Sequence, residues 1–256
     1  MPTPTATFAS LTAHFAHEPH WWPLHTVDRA YEITVGMILV QQTRWEIVEA
    51  AVLRLISAGY TSFDALANAN PDHIAQLCKP CAFYTRKAAS LITLAQHVCL
   101  LPNGIASIFA LPRTEARQHL LALPQIGLES ADTILLYAGD IPLFIVDAYA
   151  RRFLSRSGII AHAIDAAHAP YDAVQTVVEA HFALPDAATA RELHAMMVEV
   201  CIHHCTAHRP RCTQGGHQRR FVDARKCASH CRSCVACPAA TDCHYHHATM
   251  SSPTPA

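Results

Sequence analysis

Glycine is scarce in this chain, with 8 in 256 residues, while 51% of the residues are apolar. A fibrous or disordered polymer is excluded by that balance, since a chain of this length and apolar content can bury a large core. Aromatics make up only 7%. Neither sign of charge dominates: the formal net charge is −1, so the sequence lacks the basic surplus expected of a general nucleic-acid binder. Long apolar runs are missing too. No stretch approaches the roughly 18 residues of a spanning helix, and the opening MPTPTATFASLTAHF has no basic start leading into an apolar segment. A soluble, cytoplasmic, monomeric protein with no membrane partner is expected. Strand-like alternation is almost absent.

What the sequence does have is unevenly placed. Arg209, Arg211, Arg219, Arg220, Arg225, Lys226 and Arg232 face a single acid, Asp223, so either a local basic face or a solvated loop is formed there. Of the 11 cysteines, Cys78, Cys81 and Cys99 are scattered, whereas the rest crowd between positions 201 and 243. Without a secretory signal, crowded cysteines read as metal or cluster ligands rather than disulfides.

Helical periodicity starts at Tyr31 and continues through Ile47–Leu55, Ser62–Asn68, Pro71–Leu77, Thr85–Cys99, Ile105–Leu111 and Thr114–Leu123. It resumes over Glu129–Tyr137, Tyr149–Ser157, Tyr171–Phe182 and Ala187–His204. The reading is all-α: an N-terminal arm over 1–20, a helical core over 21–204, a Cys-rich region over 205–247 and a disordered tail over 248–256, with His244, His246 and His247 solvated.

Two segments carry the chemistry. The first is Leu123-Pro124-Gln125-Ile126-Gly127-Leu128-Glu129, a tight turn opening a helix; the second is Val146-Asp147-Ala148-Tyr149, closed by Arg152. Together they resemble the helix-hairpin-helix near 115–137 and the trailing aspartate segment of endonuclease III-like DNA glycosylases. A turn of this kind directs backbone N–H groups and the positive helix end outward, where a DNA phosphate can sit. Taken alone it is equally an ordinary connection in a helical bundle. Gln125 stands where the family usually has glycine, which is expected to make the first turn less tolerant of positive φ.

The resemblance implies a two-lobed fold on double-stranded DNA, with the hairpin and Asp147 in a central lobe and the N-terminal arm joining the C-terminal helices in a cluster lobe. It implies a nucleoid-associated base-excision glycosylase in which Asp147 stabilises positive charge at C1′ of the flipped nucleotide. Asp147 also suits the N-cap of the following helix. Glu129 occupies the position of the lysine nucleophile of bifunctional members, so a monofunctional enzyme is expected. The segment ending Gln41-Gln42-Thr43 is similar to the first core helix of the family, which implies that Gln41 fills the space left by the extruded base. Trp21, Trp22 and Trp45 resemble aromatic positions of the 3-methyladenine-DNA glycosylase branch, suited to an electron-poor alkylated purine; core packing is their other reading. An oxidised-pyrimidine glycosylase with lyase activity and a non-catalytic DNA-binding module remain competing readings.

Cys227, Cys234, Cys237 and Cys243 have the spacing C-x6-C-x2-C-x5-C, which matches the family's 4Fe-4S loop. A rival register begins at Cys205 and Cys212, with an insertion before the last two ligands. The shorter loop favours Cys227 and Cys234. A separate zinc site from Cys205, Cys212, Cys231 and His230 is a further alternative.

Overall fold

The computed structural model describes residues 4–14, 22–213 and 236–250, and among these every regular element is helical. Trp21, Cys227, His230, Cys231 and Cys234 lie outside the described residues. The helices are α1 Pro4–His14, α2 Arg29–Val40, α3 Trp45–Ser57, α4 Phe63–Ala67, α5 Pro71–Cys78, α6 Tyr84–Cys99 and α7 Ala106–Phe109. They continue with α8 Arg113–Leu121, α9 Leu128–Tyr137, α10 Ala148–Ser157, α11 Tyr171–Phe182, α12 Ala187–His203, a 3-10 turn at Ala240–Asp242 and α13 His244–Met250.

Local chemistry explains where several of these begin. Asp28 accepts from Tyr31 N at 2.9 Å, Ser62 from Ala65 N at 3.2 Å and Asp186 from Thr189 N at 2.7 Å. Each supplies an acceptor to an N–H that the first helical turn leaves without one. Asn70 caps α5, whose first residue is Pro71, a residue that needs no partner at that position.

Chain contacts divide the protein into two compact units, Trp22–Pro142 and Met1–Trp21 joined by Leu143–Ala256. In the first unit α2 and α9 are the central helices. Residues 31–39 of α2 and 130–137 of α9 are buried throughout, and the two helices pack on each other. Beside them α4 and α5 rest on α6, and α8 rests on α9. One buried ion pair, Arg117 to Asp132 at 2.8 Å, ties α8 to α9 across the hairpin. The Asp132 carboxylate is fully buried, where an opposite charge offsets part of its desolvation cost.

In the second unit α12 packs against α10 and α1. Its core joins Leu11 of α1 with Phe144, Val146, Phe153, Leu154 and Met197. The N-terminal arm therefore contains a helix that buries an apolar face. His244, His246 and His247, expected in a solvated tail, belong to α13.

The hairpin and Asp147 fall in different units, which differs from the shared lobe expected from the sequence. The reason lies in residues 143–146, a continuous apolar segment in which Phe144 and Val146 are buried in the core of the second unit. Asp147 follows them directly and goes where they go.

Candidate active site and cysteine loop

The hairpin is built on α8 and α9. Gln125 has φ 64°, in the left-handed region, so a non-glycine residue adopts the positive φ that the sequence suggested it would resist. Gly127 precedes α9 in extended backbone (φ −97°, ψ −176°), open to any residue. Pro124 and Gly127 are exposed, Gln125 is half-buried, and Ile126 anchors the turn by burying its side chain. Glu129 lies exposed in the first turn of α9.

Gln41 directs its amide at this turn. Its Nε2 donates to the Gln125 carbonyl at 2.6 Å and reaches Ser130 Oγ at 3.3 Å. Trp22 and Trp45 come together edge to face, with ring centroids 4.9 Å apart, and Tyr137 lies 5.6 Å from Trp22. They meet over Gly36, where an added Cβ would stand 3.2 Å from the Trp22 ring. Among the described residues, the buried indole nitrogens of both tryptophans have no hydrogen-bond partner.

Asp147 is the N-cap of α10. Its Oδ1 accepts from Ala150 N at 2.6 Å, and its Oδ2 lies 3.5 Å from His194 Nε2 on α12. One oxygen is thus fixed by the helix it starts, while the other faces the His194 imidazole. The side chain is 12% exposed and that of His194 is 6% exposed, so little water screens the carboxylate.

Further along α10, Arg152 and Arg156 organise the cysteine loop. Arg152 Nε donates to Cys205 O at 2.7 Å; Arg156 donates to Thr206 O at 2.7 Å and Ala207 O at 2.8 Å, and its guanidinium lies over Tyr245. Cys205, Cys212, Cys237 and Cys243 line one cavity, walled by Phe153 and Val200. A backbone hydrogen bond from Cys237 N to Cys212 O, 2.9 Å, joins the two halves of this loop. Its hydrogen bond with Cys201, helped by Arg156, holds the Cys205 thiol below the ordinary thiol range, while burial pushes Cys237 up to about 12. Among the described residues, no three His, Cys, Asp or Glu side chains come close enough to share a single metal ion.

Residues 35–180 match the family model of the HhH-GPD superfamily of base excision DNA repair proteins. The chain belongs to this superfamily. A protein of Methanocaldococcus jannaschii named as a DNA repair glycosylase is 33% identical over 201 residues, which cover 76% of this chain and 85% of the relative. Endonuclease III homolog 2 of Arabidopsis thaliana is 33% identical over 51% of this chain and 32% of its own length. Among solved structures, an endonuclease III–DNA covalent intermediate superposes with a TM-score of 0.70 at 19% identity, covering 98% of this chain and all of that one. The H. pylori 3-methyladenine DNA glycosylase bound to 1,N6-ethenoadenine gives 0.62 at 23% identity, over 76% and 93%. At these identities the superpositions establish the fold. The relatives' names are in keeping with a DNA N-glycosylase.

Three features of this HhH-GPD member are silent in the sequence. Glu32, an acidic residue inside an apolar helix, is buried and accepts from His25 N, Thr26 N and the Thr26 hydroxyl at 2.8 to 3.0 Å, fixing the segment just after Trp22. His194 beside Asp147 is separated from it by 47 positions, and no motif links them. Lys87 is buried, with its amine held by three oxygens of the α2 turn.

Proposed function

We propose that the chain is a monofunctional DNA N-glycosylase that hydrolyses the bond between deoxyribose and an alkylated purine in duplex DNA. The observation that carries this reading is Asp147, a carboxylate largely shielded from water, with one oxygen fixed as a helix cap and the other 3.5 Å from His194 Nε2. As the C1′–N bond lengthens, electrons leave with the base and positive charge gathers on the sugar. A preoriented carboxylate stabilises that charge without reorganising. The alkylated base, cationic while attached, takes the bond's electron pair and departs neutral; water adds to C1′ and gives up a proton to solvent, leaving an abasic site. The hairpin at Pro124, Gln125, Ile126 and Gly127, followed by the N-terminus of α9, suits a backbone phosphate, and Gln41 fills the stack behind an extruded base.

Glu129 supports monofunctional chemistry, because a carboxylate cannot attack the sugar as an amine does. Trp22 and Trp45 support a purine, because aromatic faces favour a cationic base. The H. pylori relative in its ethenoadenine complex points the same way.

The reading includes a structural 4Fe-4S cluster on Cys205, Cys212, Cys237 and Cys243, the register with the insertion. Four thiols around one largely apolar cavity fit the donor set of such a cluster, whose four iron atoms spread the ligands more widely than a single ion would. When bound, the cluster would cross-link the segments that carry the four cysteines. Arg152 and Arg156 hold that loop to α10 by its carbonyl oxygens.

Duplexes carrying 3-methyladenine, 7-methylguanine, hypoxanthine or thymine glycol test the function, with borohydride added to trap any imine. Release of an alkylated purine, an intact strand and no trapped adduct are expected. A covalent adduct, or release confined to thymine glycol, would contradict the assignment.

A further inference from the structure

Lys87 is 2% exposed, yet it carries a primary amine that the reaction does not use. Its Nζ donates to Leu39 O at 2.8 Å, Gln41 O at 2.6 Å and Thr43 Oγ1 at 3.0 Å. All three acceptors are uncharged, and all belong to the five residues that end α2 and reverse the chain. Burial holds the ammonium below the ordinary lysine range, so the charge is costly where it stands. A straight apolar side chain would fill the same space but leave these acceptors at the end of α2 without a donor. The amine therefore sets the conformation of this turn, and the turn carries Gln41.

The turn is an unusual piece of backbone. The last carbonyls of α2 have no helical N–H partners, and they form the negative end of the helix dipole. Gln42 takes φ 53° without being glycine, and Thr43 N returns to Val40 O at 2.9 Å. The Thr43 hydroxyl also accepts from Ala82 N at 3.1 Å, which links the turn to the segment that precedes α6. A single ammonium thus gathers the carbonyls of Leu39 and Gln41 and the Thr43 hydroxyl. The residue whose carbonyl it grips most closely is Gln41, whose side chain reaches Gln125 O in the hairpin.

We propose that Lys87 is a positioning residue for base extrusion: it fixes the backbone from which Gln41 projects, so that Gln41 enters the stack in one orientation. The proposal rests on the reading of Gln41 as the group that fills the vacated space. Lys87 touches neither the base nor the sugar, and its contribution is confined to substrates whose lesion must first leave a paired stack.

That restriction provides the test. Single-turnover base release is measured for Lys87→Met, Gln41→Ala and the double variant. The substrate is whichever alkylated purine of the panel is released fastest, placed opposite its normal partner or opposite an abasic analogue. On the paired duplex, Lys87→Met is expected to slow release about 10- to 100-fold, the range for a misplaced positioning group. Opposite the abasic analogue, where the lesion is already unpaired, release is expected within about twofold of wild type. The double variant is expected to be no slower than the slower single one, because both changes remove one device. Thr43→Val, which removes only one of the three acceptors, covers the case of a poorly folded Lys87→Met and is expected to give the same paired-only loss in milder form. Equal losses on both duplexes, or losses that multiply in the double variant, overturn the proposal. If Gln41→Ala releases from paired duplex at the wild-type rate, the reading of Gln41 fails and takes this inference with it. If Gln41→Ala is slow while Lys87→Met and Thr43→Val are not, only the role of Lys87 is lost.

Discussion

Gln125 keeps the left-handed backbone of a hairpin turn without being glycine. For an L residue this costs about 1–2 kcal/mol, against about 0.5–1 kcal/mol of extra chain entropy that glycine would lose on folding. Gln125→Gly is therefore expected to stabilise the protein by up to about 1 kcal/mol and to raise the melting midpoint by a few degrees, measured by thermal unfolding. The Gln125 carbonyl that Gln41 uses survives the change. Destabilisation by the variant would mean that the glutamine side chain compensates for its own strain. The sequence marked Gln125 as anomalous, but propensity could not tell a turn that avoids positive φ from one that tolerates it. The N-cap role of Asp147 was legible from the capping rule, whereas its catalytic role rests on the motif and is part of the proposal. His194 was not legible: its proximity is created by packing α12 on α10, and no local pattern records a contact 47 positions away.

Among the elements, the long amphipathic helices were readable because period and punctuation agree. Asn70-Pro71 opens α5 where capping chemistry says it should, and Gly158 ends α10 with φ 75°. α1 was missed: its described apolar anchors, such as Leu11, are few, and its helix gains its stability by packing on α12. The cysteine register is a separate matter, because Cys227 and Cys234 lie outside the described residues. Loop length favoured the compact register, but sequence distance is not spatial distance, and the Cys237 N to Cys212 O hydrogen bond closes the long loop at its base. Because loop-closure entropy grows only logarithmically, an insertion of that length is cheap. Cys205→Ala and Cys212→Ala are each expected to lower bound iron and acid-labile sulfide well below four per chain, while Cys227→Ala and Cys234→Ala retain them. Iron lost from Cys227→Ala but kept in Cys212→Ala would restore the short register.

At the scale of the molecule, the division after Pro142 assigns the two parts of the proposed machinery to different bodies, with the hairpin and Gln41 in one and Asp147, His194 and the four cysteines in the other. Each body supports its own part with buried polar contacts: Arg117 to Asp132 behind the hairpin, and Arg152 and Arg156 behind the cysteine loop. Family membership was legible from motif spacing, but the partition was not, because it depends on which core Phe144 and Val146 join.

The claim at the centre is that the Asp147 carboxylate performs the bond cleavage, and Asp147→Asn examines it with the least disturbance. Asparagine caps a helix about as well as aspartate, so α10 should persist and affinity for lesion-bearing duplex should stay within about twofold. Single-turnover release of the base is expected to fall by about 10²- to 10³-fold, the scale of removing one preorganised electrostatic group. Release at the wild-type rate from a folded, DNA-binding Asp147→Asn protein would contradict the account.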